Sequence, residues 1–188
     1  SLHTFFAEHE QTDRTNWISS KGKYSDLFCR EFSEYSSIKY ITTVANGTCA
    51  LNLALATLNI PIGSEVLVPS FGYVAVSATV VRYGAIPVFV DIDLHTLSIS
   101  PEKVIKKINK KTLAVFITHA QGFNGFTDNL LSELKKRNIF LIEDVCESHG
   151  AKHKNKKLGT FGIISNFSFY YAHHMTTIEG RSEEHTSE

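Results

Sequence analysis

From residue 40 onward the chain alternates short, nearly uninterrupted apolar runs with stretches of helical character, and nothing else in it restricts the possible folds as much. YITTVA (residues 40–45), EVLVP (65–69), PVFVDI (87–92), LAVFIT (113–118) and IFLIED (139–144) read as strands. Each is too short for a helix, is rich in β-branched or aromatic residues and has little polar face. Helical patterns fall between them. CALNLALATLN follows Asn46-Gly47-Thr48, a small-residue stretch covers 73–83, and a third helix runs from Ser100 as cap and Pro101 to about residue 109. A fourth covers 127–137, with Leu130, Leu131 and Leu134 on one face. Strands that are apolar on both faces need cover on both, and intervening helices bring successive strands back parallel. The pattern predicts an α/β fold: a mostly parallel sheet with helices on both faces. Before residue 40 only 26–35 shows a helical face, through Phe28, Phe32 and Tyr35.

Composition narrows the partners. Nineteen Lys and Arg balance nineteen Asp and Glu in 188 residues, which leaves no field to attract nucleic acid or an anionic membrane. No apolar stretch approaches the ~20 residues of a membrane span, and SLHTFFAEHE lacks a signal-peptide pattern. Neither nucleic acid nor membrane is therefore an expected partner. With 43% hydrophobic and 20% charged residues, the chain should pack a core rather than stay disordered. Cys29, Cys49 and Cys146 are an odd number without close spacing, which suits reduced thiols in a cytoplasmic setting.

Open α/β sheets collect ligands at the carboxyl ends of their strands. Those ends hold Asn46-Gly47-Thr48, residues 70–73, Asp91 and Asp93, His119 to Gln121, and Glu143-Asp144. Asn46-Gly47-Thr48 opens a helix, so its amides and hydroxyl suit a phosphate, although an ordinary capping turn has the same residues. No Gly-Lys-Ser/Thr follows it, and GxGxxG is absent from the chain. Asp144 should lie at the tip of a buried strand, where a carboxylate needs a partner: a protonated pyridine nitrogen, an Arg or a helix N-terminus. Cys146, His149 and His153 have a metal-like spacing, but Gly150 interrupts any helix that would align them, and no second cluster completes the set. His173 and His174, being adjacent, should project in different directions.

Taken in order, NGTCALNLAL, GSEVLVPSFGYVA, GAIPVFVDID, IEDVCESHGA and FGIISNFSFYYAHHMTTIEG resemble the DegT family of nucleotide-sugar aminotransferases. These are fold-type-I enzymes that use pyridoxal 5'-phosphate. The resemblance implies the large, cofactor-binding domain of that fold over residues 17–180, cut short, with residues 1–16 unassigned. Arg181 to Glu188 match the translation of a sequencing adapter and are expected to be foreign to the protein. By position, Gly47 and Thr48 match the turn that cradles the cofactor phosphate, and Tyr73 the aromatic that stacks on the ring. Asp144 matches the carboxylate paired with the ring nitrogen. Glu147 falls where the aminotransferases usually have Gln near the ring hydroxyl, and Ser168 matches a phosphate-contacting hydroxyl.

His173 departs from the aminotransferase pattern S-F-Y-P-T-K, whose lysine holds the cofactor covalently. Histidine there resembles the sugar 3-dehydratases of the family, including the GDP-4-keto-6-deoxymannose type. The resemblance implies pyridoxamine 5'-phosphate held noncovalently, a nucleotide-linked 4-keto-6-deoxy sugar as substrate, loss of its carbon-3 hydroxyl, and His173 as the base. It also implies a homodimer. Two alternatives remain: a DegT-type sugar aminotransferase, and a non-catalytic homologue that binds the cofactor or a nucleotide sugar.

Overall fold

The structure is a computed structural model that describes residues 23–170, 172–176 and 181–185. The unassigned segment 1–16, the start of the family resemblance at 17 and its end at 177–180 lie outside the described residues. Every apolar run of the sequence is a strand: β1 (Tyr40–Val44), β2 (Glu65–Pro69), β3 (Ile86–Val90), β4 (Thr112–Thr118) and β5 (Phe140–Asp144). The helices are α1 (Lys23–Ser36), α2 (Gly47–Leu58), α3 (Ala75–Arg82), α4 (Pro101–Lys107) and α5 (Asp128–Lys136). A two-residue ribbon, β6 (Lys152–His153) with β7 (Lys156–Lys157), precedes β8 (Ile164–Ser168) and β9 (Arg181–His185).

Seven strands form one sheet in the order β1-β9-β8-β5-β4-β2-β3. β3, β2, β4, β5 and β8 pair in parallel, while β9 lies antiparallel between β8 and β1. Six strands therefore point the same way, and their carboxyl ends share one rim. Period-two alternation divides each apolar strand between two cores. Val66, Val68, Ala114, Phe116 and Ile142 face Leu51, Leu55, Val76 and Val80 of α2 and α3. Leu67, Val115, Ile117, Leu141 and Phe167 face Phe32, Val104, Leu130 and Leu134 of α1, α4 and α5. No helix among the described residues is long and apolar enough to cross a membrane.

Two local expectations change. Ser100 occupies the cap position of α4 without capping it, because its hydroxyl lies 3.2 Å from Glu102 Oε2 instead. That helix also stops at Lys107 rather than near 109. β8, read from sequence only as part of a family block, proves to be a fully buried strand although ISNFS is mostly polar. Its polar atoms are satisfied inside the protein: Ser165 Oγ donates to Gly159 O (2.8 Å), and Asn166 Nδ2 to Asp144 Oδ1 (3.0 Å).

Candidate functional site

The rim begins at the end of β1. Asn46 is extended (φ −162°, ψ 173°), and its side chain accepts the Cys49 N–H at 2.9 Å, so Gly47 and Thr48 form the first turn of α2. Asn52 Nδ2 donates to Thr48 O at 2.7 Å, which stiffens this turn from within the helix. Thr48 Oγ1 lies 3.5 Å from the hydroxyl of Tyr73, which follows β2. The expected phosphate turn and the expected stacking ring thus meet, and Tyr73 presents its ring outward at 56% exposure.

At the end of β5, two consecutive carboxylates do different work. Asp144, 5% exposed, accepts from Cys146 N (3.1 Å) and Asn166 Nδ2 (3.0 Å), both on Oδ1. Glu143 is fully buried and takes four donors, two on each oxygen. Oε1 accepts Phe161 N (2.8 Å) and Gly162 N (2.5 Å); Oε2 accepts Gly159 N (2.8 Å) and His119 Nε2 (3.1 Å). A carboxylate offers about four acceptor positions, so this one is saturated. The tautomer of His119 follows from its other nitrogen: Nδ1 accepts the Gly125 N–H at 3.0 Å, so Nε2 carries the hydrogen. Glu143 thus anchors the loop that feeds β8. A Cβ on Gly162 would stand 2.5 Å from Leu141 O, so only glycine lets that loop approach the sheet so closely.

The remaining candidates cluster around this end of the sheet. Glu147 Oε2 accepts the Gln121 N–H at 3.2 Å, and Gln121 adopts φ +50° in the turn after β4. Ser148 Oγ accepts the Gly122 N–H at 2.9 Å and donates to His119 O. Ser168, buried at the end of β8, accepts the Tyr170 N–H at 3.3 Å. His173 lies in the loop beyond, its N–H donating to Tyr170 O (2.9 Å) and its ring 5.8 Å from that of Tyr170. His174 turns instead toward His149, at 6.5 Å. The candidates thus fall into two groups, Gly47, Thr48 and Tyr73 on one side, Asp144, Glu147 and Ser168 on the other. α2 packs on β8 and links them.

Other strand-end residues go elsewhere. Asp91 pairs with Lys103 at 2.9 Å on the surface, and that ammonium holds its carboxyl below the usual range. Asp93 accepts the His95 and Thr96 amides of its own turn, which lower its carboxyl likewise. The residues with metal-like spacing diverge. Cys146 Sγ accepts from Asn166, the His149 ring lies beside Phe167 and Phe169, and His153 binds Asp128 and Asn124. Glu143 and His119, both at strand ends, pair with each other inside the protein, and Asn166 joins the site from β8, a strand that the apolar runs do not mark. For Asn166, a lone amide inside the run ISNFSF was the available signal.

An open, mostly parallel α/β sheet whose helix terminus, hydroxyls and buried carboxylate meet at one carboxyl rim defines a class of cofactor-binding folds. The model of the DegT/DnrJ/EryC1/StrS aminotransferase family matches residues 3–181, and the chain belongs to that family. The match begins well before residue 17 and takes in residues 3–16. GDP-perosamine synthase of Vibrio cholerae is 45% identical over 166 residues, 88% of this chain and 45% of that protein. An aminotransferase from Psychrobacter cryohalolentis superposes with a TM-score of 0.84 at 35% identity, over 88% of this chain and 42% of the other. The GDP-4-keto-6-deoxy-D-mannose-3-dehydratase of Escherichia coli, with bound hydrated PLP, gives a TM-score of 0.86 at 29% identity, over 95% and 50%. The chain spans about half the length of the relatives it matches.

Proposed function

We propose that the chain carries the cofactor-binding part of a pyridoxal-phosphate enzyme that removes the carbon-3 hydroxyl from a GDP-linked 4-keto-6-deoxy sugar. The observation that carries this reading is His173 in the loop after β8, a loop whose sequence from Phe169 to Gly180 contains no lysine. A sugar aminotransferase of this family would need a lysine in that loop to hold its cofactor; an imidazole cannot form the link but can carry protons near neutral pH. GDP is supported by the names of two relatives, the perosamine synthase and the 3-dehydratase.

The donor set suits a phosphorylated pyridine. The α2 amides, with the Thr48 and Ser168 hydroxyls, would hold the phosphate. Tyr73 would cover the ring face, Asp144 would hold the ring nitrogen protonated, and Glu147 would face the ring hydroxyl. Bound there as pyridoxamine phosphate, without a covalent link, the cofactor supplies an electron sink next to the keto carbon of the sugar. His173 would serve as the base and as proton carrier to the departing carbon-3 hydroxyl. The full-length protein would act as a homodimer.

The test uses full-length protein, GDP-4-keto-6-deoxymannose, pyridoxal phosphate and glutamate, with the sugar followed by mass. Loss of the carbon-3 oxygen is the expected result. Gain of an amine with that oxygen retained would favour the aminotransferase reading, which the perosamine synthase likeness keeps open. Binding without turnover would favour a non-catalytic homologue. The position of His173 has its own check: His173→Lys should take up the cofactor covalently, seen as one added cofactor mass after borohydride reduction. A folded, cofactor-binding variant that stays unmodified would remove His173 from that position.

A further inference from the structure

We propose that Asn166 is a positioning residue for the Asp144 carboxylate, and so for the charge state of the ring it would meet. This rests on the assignment of Asp144 made above. Asn166 stands directly opposite Asp144 in the parallel β5–β8 ladder and is 1% exposed. A buried amide in the middle of a strand incurs a desolvation cost unless its atoms are used, and here they are used on the site. Nδ2 donates to Asp144 Oδ1 at 3.0 Å and to Cys146 Sγ at 3.2 Å. The Asn166 carbonyl accepts the Val145 N–H at 2.9 Å, which fixes the backbone from which the amide reaches. Cys146 N supplies the second donor to Oδ1, at 3.1 Å. Two donors on one carboxylate oxygen, one from β8 and one from the turn after β5, set the rotation of Asp144 about its last torsion.

The geometry carries an expectation that a packing role would not. Removing the amide should loosen the carboxylate's hold on a protonated ring, whereas replacing it by a second carboxylate should oppose Asp144 directly. In the full-length protein, Asn166→Ala is expected to weaken pyridoxamine phosphate binding about tenfold, the effect of one charge-assisted hydrogen bond. It should also lower the pH at which the absorbance of the bound cofactor reports loss of the ring proton. Asn166→Ser, which returns a shorter donor, should recover part of both. Asn166→Asp should bind worse than Asn166→Ala at neutral pH and regain affinity as the pH falls. Asp144→Asn tests the underlying assignment separately. If it binds cofactor like the parent, the assignment fails and the inference with it. If Asp144→Asn loses the cofactor while Asn166→Ala, folded by near-ultraviolet circular dichroism, binds and titrates unchanged, the inference alone is overturned. Should Asn166→Ala not fold, Asn166→Ser is judged by the same midpoint: a downward shift supports the positioning role and an unshifted one overturns it.

Discussion

Glu143 shows how much of this rim depends on a single side chain. It satisfies three backbone amides of the loop before β8 and the His119 ring, with both side chains fully buried. Glu143→Gln would turn one acceptor into a donor facing amide hydrogens, so at least one oxygen's pair of donors would lose its partner. Each buried unmet donor costs about 1–3 kcal/mol, and the expected loss is about 3 kcal/mol, read from the urea midpoint. A loss below about 1 kcal/mol would mean that water reaches the loop. Asp128 makes the opposite case, at the surface. Lys154, and after it His153 at 2.8 Å, hold its carboxyl below the ordinary 3.8. A lowered carboxyl contributes stability that is present above its unfolded value and lost as pH falls through its folded one. Its carboxyl carbon should therefore titrate below the ordinary value by NMR and move up in Lys154→Ala or at high salt; no movement would deny the pair. Residue identity alone could mark Asp144 as the tip of a buried strand. It could not tell that neighbouring Glu143 turns into the protein, because the donors that satisfy it come from residues 119 and 159–162.

At the scale of elements, two helices with the same kind of N-terminus separate stability from binding. Asn46 caps α2 by accepting Cys49 N at 2.9 Å, and Thr127 caps α5 by accepting Leu130 N at 3.2 Å. Replacing either by Ala should cost about 1 kcal/mol of stability. Only Asn46→Ala should also weaken binding of pyridoxamine phosphate, several-fold, because only α2 opens at the proposed phosphate site. Equal binding by both variants, measured by fluorescence titration, would make Asn46-Gly47-Thr48 an ordinary capping turn. The strands from β1 to β5 were legible because apolar runs cut by helical patterns have few other solutions. β8 was not, since its burial relies on partners for Ser165 and Asn166 that lie 6 and 22 residues away. The β6–β7 ribbon was equally hidden, being two residues long on each side.

At the scale of the whole molecule, the sheet poses a question about its own seventh strand. β9 is bonded on both edges, to β1 through Tyr40 to Val44 and to β8 through Ile164 to Ser168. β8 is buried along its whole length, and α2 packs on both β8 and β9. A strand so enclosed ordinarily reads as β-branched and apolar. Residues 181–185 read RSEEH, which is neither β-branched nor apolar. The physical consequence can be measured on the chain itself. Replacing Ser182, Glu183 and Glu184 by Val, Ile and Val should raise the urea midpoint, because three poorly suited strand residues give way to favourable ones at a few tenths to ~1 kcal/mol each. If the polar strand proves as stable as the apolar one, the gap between β1 and β8 accepts charge as readily as β-branched residues.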